Sequence, residues 1–552
     1  MSYRYQYINH LTAIEQASRT KPDNTAFKIP FENGWKNISY KQFWNDVQRV
    51  GVYWSKMLVE QGVKEREVVG LWMFGKTYSD VIHLFGLQRA GYAPHLMSTY
   101  LEDIDLVQTL FSQSNVRVVI CDIKLVKGWK QIENTGRVQV IPILTDHEIN
   151  GVIIAGVSDS VSDFDKLPSL DGDGDDILSI EQSSGSSSGR PKLVQFTRRW
   201  MDANAQKCQI DERRTPVFIR SGSFCYVGQI LRASPNSLRT FIYADCTVLT
   251  PKIIWNTADE LANIITTCGV TDIALYPSLI NDIIEKAKTS ALLTERLKTL
   301  RTLTYGGGPI GERAIEWARG AGINIVCRFA STEVGMLMVS QPGGDPHLLQ
   351  FYRRFDYKFI PIQPGEEDNS KTLYELVILP TSPDCPPLSM RNSTDGYYHT
   401  KDLFEPSPTR EGYYIFRGRT DDIIIMEEAS NCDAKYLEDR IAYLCHDLIS
   451  TFAVLGQGRP SPALLIEPLD SNSNTTTLHK TLSTRLESLN SSETSIYSHE
   501  RIKSEYIIIL PKGSLPISQM KGTVMRSKAE VKFKELLDKV YAGDSVWSYD
   551  EV

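Results

Sequence analysis

The sequence predicts an α/β protein. A large N-terminal domain of parallel or mixed sheets covered by helices is followed by a small α+β C-terminal domain. Three observations predict it. Short buried strand patterns alternate with amphipathic helical patterns through the first half of the chain, which is how a parallel sheet with covering helices reads. At 552 residues the chain is too long for one hydrophobic core. From about residue 370 the pattern changes to shorter β segments with Gly and Pro turns, running into Gly418-Arg419-Thr420-Asp421-Asp422. The expected units are therefore 1–417, a connector at 418–422, and 423–552.

In order along the chain, a helix is expected from about Lys41 to Gln61, with Phe43, Val47, Val50 and Trp54 on one apolar stripe. Val68 to Met73 reads as a buried strand. Tyr78 to Arg89 reads as a helix closing near Gly91, and Leu106 to Gln113 as another. Strands follow at Val116–Ile120, Val140–Leu144, Thr247–Leu249 and Thr271–Tyr276. Ile177–Ile180 and Leu193–Thr197 are two further strands, and the loop between them is the most informative stretch of the chain.

Composition bounds the function. Hydrophobic content of 41% and charged content of 23% are ordinary for a globular enzyme. A net charge of −7 argues against a nucleic-acid surface and leaves no polybasic membrane patch. The polar N-terminus has no signal-type apolar region and no run reaches membrane-spanning length, so a cytoplasmic enzyme is expected. The nine cysteines form no CxxC pair and read as free thiols. No pair of histidines has metal-ligand spacing. Asp171 to Asp176 resembles a calcium loop but has Asp176 where glycine is required, and reads as a solvated loop.

The loop is Ser183-Ser184-Gly185-Ser186-Ser187-Ser188-Gly189-Arg190-Pro191-Lys192. Backbone N–H groups and hydroxyls in such a loop can fold around phosphate oxygens, with Lys192 as a point charge. A Walker loop fails here, because Arg190-Pro191 separate the second glycine from the lysine. A serine-hydrolase elbow fails because a strand follows where a helix must.

The segment resembles the phosphate loop of the acyl-adenylate-forming (AMP-binding) superfamily, with one extra serine. Four later segments resemble that family in the right order. They are Tyr305-Gly306-Gly307-Gly308-Pro309-Ile310, Cys327 to Gly335, Tyr398 to Leu403 and Gly412 to Asp422. A fifth, Pro516 to Arg526, carries Lys521-Gly522-Thr523. The look is that of the adenylation domain of fungal carboxylic acid reductases and related peptide-synthetase-like proteins, and the resemblance covers nearly the whole chain.

The resemblance implies a set of roles. Ser183 to Gly189 and Lys192 would hold the β- and γ-phosphates of ATP. Gly307, Gly308 and Pro309 would wall the adenine slot, and Phe329 would stack on the base beside Ala330 and Ser331. Thr332 would bond the α-phosphate, Glu333 would hold Mg²⁺, and Asp402 would accept from the ribose hydroxyls. Arg419 would contact ribose or phosphate, with Tyr414 in the same nucleotide-binding set. Lys401 stands where the family has glycine, which is harmless only if its φ is negative. Asp421 would be the hinge about which the small domain rotates. Lys521, on that domain, would act on the transferring phosphate together with Thr332.

The implied reaction joins a carboxylic acid to ATP as an acyl adenylate with release of pyrophosphate, then passes the acyl group to a thiol. The acceptor would be the phosphopantetheine of a carrier domain, in cis or in trans, or coenzyme A. A free-standing acyl- or aryl-CoA ligase and an amino-acid-activating domain remain as alternatives, as does a degenerate nucleotide-binding scaffold. Ser221 to Gln229 contains no carboxylate to bind an ammonium group, which favours a non-amino, aromatic or otherwise apolar acid.

Overall fold

The computed structural model describes all residues except 1–4, 33, 74, 76, 98–102, 125, 127, 156–160, 184–191, 209–216, 221–234, 251–256, 309, 363–372, 392, 428–430, 493–499, 518–522 and 544–552. Two sheets dominate. The six-stranded one runs Gln139–Pro142, Val118–Cys121, Val68–Trp72, Ala93–Met97, Ile177–Ser183, Lys192–Thr197. Its first five strands are mutually parallel and the last is antiparallel.

In the 13-stranded sheet, an antiparallel edge strand Gly34–Ser39 flanks Thr25–Phe31, from which parallel pairing runs through Cys246–Val248, Val217–Arg220, Asp272–Leu275 and Thr302–Gly306 to Ile325–Ser331. From Ile325–Ser331 onward every pairing is antiparallel, through Gly335–Ser340, Leu349–Phe351, Tyr414–Arg419, Tyr398–Pro406, Tyr374–Ile378 and Tyr357–Pro361. One continuous sheet thus changes from α/β to all-antiparallel character at a single strand.

Local sequence explains the helices between the sheets. The helix Tyr40–Glu60 is capped by Ser39, whose hydroxyl accepts from the Gln42 N–H. Phe43, Val47, Val50 and Trp54 are all fully buried, as their spacing requires. Thr77 and Asp80 form a reciprocal capping box on Tyr78–Arg89. Both helices share one core cluster with Phe27 of the large sheet and Leu71 of the smaller one. The acidic loop near Asp176 is tied down by arginines: Arg66 and Arg198 each lie 3.2 Å from Asp176.

After residue 422 the chain builds two small sheets. Ile423–Ile425 pairs with Asn431–Asp433, and Ile449–Leu455, Ala463–Pro468 and Ile507–Ile509 form a three-stranded sheet. Apolar clusters led by Leu464 and Leu465 contain only residues beyond 423. No helix among the described residues is long and apolar enough to cross a membrane.

One polar contact lies deeper than any of these. Lys207 Nζ sits 2.5 Å from Asp384 Oδ2 with both side chains completely enclosed. Asp384 also accepts from Ser382 Oγ at 2.5 Å and from the Tyr357 hydroxyl. Burial pulls the Lys207 ammonium below its ordinary value and Asp384 opposes that pull. Removing one partner of such a pair strands a buried charge. Lys207→Met is therefore predicted to cost roughly 3–5 kcal/mol of large-domain stability, with much of it recovered by adding Asp384→Asn. Calorimetric unfolding of the three variants checks this; a loss below about 1 kcal/mol in the single mutant would mean the pair is not buried as described.

Candidate nucleotide site

The phosphate-binding candidate is the tip of a β-hairpin. Ile177–Ser183 and Lys192–Thr197 pair antiparallel with Ser183 opposite Lys192. Lys192 is exposed at the neck, and Gln182 just below it is buried. Ser184, Gly185, Ser186, Ser187, Ser188 and Gly189 lie outside the described residues, as does the side chain of Ser183.

The two glycine-bearing segments sit at the carboxyl ends of adjacent parallel strands, the edge where ligands bind in open α/β sheets. Thr302–Gly306 pairs in parallel with Ile325–Ser331. Gly307 and Gly308 follow the first strand, with Gly307 at φ +90° against the Tyr276 ring; Pro309 is outside the described residues. Phe329 lies on the second strand, half-buried, with ring centroids 5.1 Å from both Phe404 and Phe416. Ala330 is exposed and Ser331 partly so; Ser331 Oγ accepts the Val334 N–H at 3.1 Å. Thr332 and Glu333 form the turn into Gly335–Ser340.

That turn is gripped from one side by the helix Arg198–Lys207, which continues directly from the hairpin of Ile177–Ser183 and Lys192–Thr197. Trp200 Nε1 donates to the Glu333 carbonyl at 2.9 Å, and Lys207 Nζ donates to the Val334 carbonyl at 3.0 Å. Between them, Asn204 Oδ1 accepts the Met336 N–H at 3.3 Å. Positions 200, 204 and 207 fall on one face of a helix. Residue-by-residue reading of motifs missed all three; their i, i+4, i+7 spacing was the available signal. The same helix also holds the buried ammonium of Lys207, so the Glu333 turn, the hairpin and Asp384 share one anchor.

Across the antiparallel half, Asp402 stands opposite Arg419, with Oδ1 2.8 Å from the guanidinium and the carboxylate almost wholly buried. Tyr398 joins them. Burial pushes its hydroxyl well above the usual tyrosine value, and the negative charges of Glu333 and then Asp402 push further, against Arg419. Tyr398 thus lies within electrostatic reach of Glu333, Asp402 and Arg419. Tyr414 is not with them. It lies roughly 13 Å along the ladder from Asp402, stacked on Phe359 at 4.5 Å. There it lines a cavity of about 540 Å³ with Tyr374, Phe404 and Arg410.

Lys401 departs from what its position requires to be harmless. Its φ is +64°, so a non-glycine residue occupies the left-handed region at a cost of about 1–2 kcal/mol. The backbone is held there: the Lys401 N–H donates to Glu375 Oε1 at 3.0 Å.

The connector Thr420–Asp422 is a 3₁₀ turn, with Asp422 Oδ2 accepting the Arg419 N–H at 3.2 Å; of Asp421 only the backbone is described. Asp422 Oδ1 and Glu438 Oε1 each lie 2.7 Å from the Arg526 guanidinium. The residues flanking Lys521 form a narrow return: Ile517 bridges Val524, and the Met525 N–H donates to the Pro516 carbonyl at 2.8 Å. Lys521 and Gly522 themselves lie outside the described residues, as do 221–229 and Ala429.

Residues 14–351 match the family model described as AMP-binding enzyme, and residues 421–545 match that of the AMP-binding enzyme C-terminal domain. The chain is 28% identical over 529 residues to the AMP-binding domain-containing enzyme iboA of Amanita muscaria, covering 92% of this chain and 98% of that one. It is 20% identical over 566 residues to the carboxylic acid reductase of Neurospora crassa, covering 96% of this chain but only 50% of the reductase. The chain therefore spans about half the length of that relative. Among solved structures, ATP-bound MatB from Rhodopseudomonas palustris shares the fold with a TM-score of 0.72 at 17% identity, over 96% of this chain and all of that one.

Gly335 provides a test of the grip on the Glu333 turn. Its φ is +80°, and a Cβ there would come within 2.0 Å of Asn204 Oδ1. Gly335→Ala is predicted to destabilise the large domain by roughly 2–4 kcal/mol, combining backbone strain with forced displacement of a packed side chain. Denaturant unfolding measures this. A change under about 0.5 kcal/mol would mean that Asn204 moves aside freely.

Proposed function

We propose that this chain, which belongs to the AMP-binding enzyme family, activates a carboxylic acid as its acyl adenylate and hands the acyl group to a thiol. The observation that carries the reading is the gathering of Glu333, Tyr398, Asp402 and Arg419 beside the carboxyl ends of the parallel strands. Nucleotide binding needs those parts: a carboxylate for ribose, a cation for phosphate, and a carboxylate for the counter-ion.

A carboxylate is already a nucleophile, so no general base is required. Its oxygen attacks the α-phosphorus of ATP, the bond from that phosphorus to the bridging oxygen breaks, and pyrophosphate leaves. The protein's task is to hold two anions together and stabilise the charge on the transferring phosphate. Lys521 and Thr332 serve the α-phosphate, while Lys192 and the serine loop serve the leaving pyrophosphate. Asp402 holds the ribose and Phe329 the base. Glu333 suits Mg²⁺ carried in with ATP, since that ion is commonly held by one or two carboxylates plus phosphate oxygens. Bound there, it would screen the triphosphate. Among the described residues no group of three or more His, Cys, Asp or Glu is placed to hold a metal.

For the second step the acceptor we favour is the phosphopantetheine of a carrier domain, because this chain aligns along half of a carboxylic acid reductase. Coenzyme A is the alternative acceptor. The acid is a non-amino, aromatic or apolar one, given the absence of a carboxylate in Ser221 to Gln229. A pyrophosphate-release assay over a panel of such acids tests the whole reading. ATP binding without release for any acid would leave a nucleotide-binding scaffold instead.

Two substitutions test the roles. Lys521→Ala is expected to lower acid-dependent ATP–pyrophosphate exchange by at least about 10² with little change in ATP affinity; exchange within a fewfold of wild type would shift the role to Lys192. Glu333→Gln is expected to raise the Mg²⁺ concentration needed for half-maximal exchange, because a neutral amide binds a hard cation poorly. An unaltered Mg²⁺ titration would make that carboxylate structural.

A further inference from the structure

Between Tyr374–Ile378 and Tyr398–Pro406 the ladder slips. Glu375 pairs with Leu403 but Val377 pairs with His399, so the second strand carries two more residues than the first over this span. On its other side the same strand slips again between Asp402 and Phe404 against Arg419 and Phe416. Thr400, Lys401 and Asp402 are therefore out of register with Tyr374–Ile378, while Asp402 keeps its partner Arg419 on the other side, and Lys401 is in the left-handed region. Bulges of this kind re-aim a side chain, and the strain they store persists only where neighbours over-determine the backbone.

The neighbours here are specific. Glu375 Oε1 accepts the Lys401 N–H at 3.0 Å, and its other oxygen lies 3.0 Å from His399 Nδ1. The second ring nitrogen of His399 lies 3.0 Å from Asp395 Oδ2. Thr400 Oγ1 donates to the Leu376 carbonyl at 2.7 Å and accepts the Asp402 N–H at 3.1 Å. Burial alone would lower the imidazole of His399, and its hydrogen bonds to Asp395 and Glu375 outweigh that, so it titrates above an ordinary histidine. Both oxygens of Glu375 are spoken for, one by the strained backbone and one by a side chain that is itself braced.

We infer that Glu375, braced by His399 and Asp395, is the positioning residue that forces Lys401 into its strained conformation and thereby aims Asp402 at the ribose of ATP. The inference rests on the reading of Asp402 as the ribose carboxylate. Glu375 touches no substrate; it acts through the bulge. A glycine at 401 would adopt the same φ without help, so the need for Glu375 should vanish in that background.

The test is calorimetric binding of ATP and of 2′,3′-dideoxy-ATP to the full chain. The wild type should prefer ATP, and Asp402→Ala should abolish the preference. Glu375→Ala should weaken ATP binding roughly tenfold, the loss of about one well-made hydrogen bond's worth of alignment, while leaving dideoxy-ATP unchanged. Glu375→Gln, which keeps an acceptor for the Lys401 N–H, should retain most of the preference, and Glu375→Ala/Lys401→Gly should restore it. A merely structural role would weaken both nucleotides alike and would not be rescued by glycine. Should Glu375→Ala fail to fold, His399→Ala removes the brace and should give a smaller loss with the same rescue. A preference that survives Glu375→Ala, or is not recovered with glycine, overturns the inference while leaving the ribose reading intact if Asp402→Ala still abolishes it. A preference untouched by Asp402→Ala overturns the ribose reading and the inference together.

Discussion

An ammonium group cannot be left alone in a protein interior, and the burial of Lys207 sets much of what surrounds the site. Its charge is answered by Asp384, which is held in turn by Ser382 and Tyr357 from the antiparallel half of the large sheet. A second N–H donates to the Val334 carbonyl. The helix that carries it begins where the hairpin 177–197 ends. Three regions far apart in sequence therefore meet at one nitrogen atom: the helix that follows the hairpin, the turn that ends at Val334, and the segment around Asp384. Because interiors are close-packed and strained placements are not absorbed gradually, a displacement of any one is felt by the other two.

This arrangement explains how the sheet can change character at Ile325–Ser331 while the turn at Thr332–Val334 stays fixed. A parallel strand normally ends into a crossover helix. Here it turns back at Thr332–Val334 into an antiparallel neighbour, and a tight turn has few internal bonds to hold it. The face formed by Trp200, Asn204 and Lys207 supplies bonds from outside, and only glycine at 335 allows the helix to come so close.

Much of this was legible in the sequence, for identifiable reasons. The helix Tyr78–Arg89 is read to its ends because Thr77 and Asp80 are both capping residues and Gly91 stops it. The order of motifs pointed to a nucleotide site, and the pairing of Asp402 with Arg419 joins two of them. Other features follow from long-range packing that local pattern does not record. Lys207 and Asp384 look like surface residues in a one-dimensional reading. The φ of Lys401 cannot be inferred from residue type, because its neighbours impose a conformation the lysine itself disfavours. Tyr414, read with the nucleotide residues from its place in a motif, faces Phe359 because the ladder carries it several residues beyond Asp402. The continuity of the parallel and antiparallel halves in one sheet likewise depends on which strand edges meet, which strand patterns alone leave open.

The contact of Arg526 with Asp422 and Glu438 has a consequence for recombining this protein with its relatives. Asp422 follows the large sheet in sequence but is fastened through its side chain to Arg526, a hundred positions later, which in turn pairs with Glu438 of the helix Ala434–Cys445. A crossover placed after Asp422 would separate a carboxylate from its guanidinium and leave Arg526 with half its counter-charge. A junction upstream of Asp422, beside Asp421, keeps the three together as one inheritable block, and grafts of foreign C-terminal domains should be cut there.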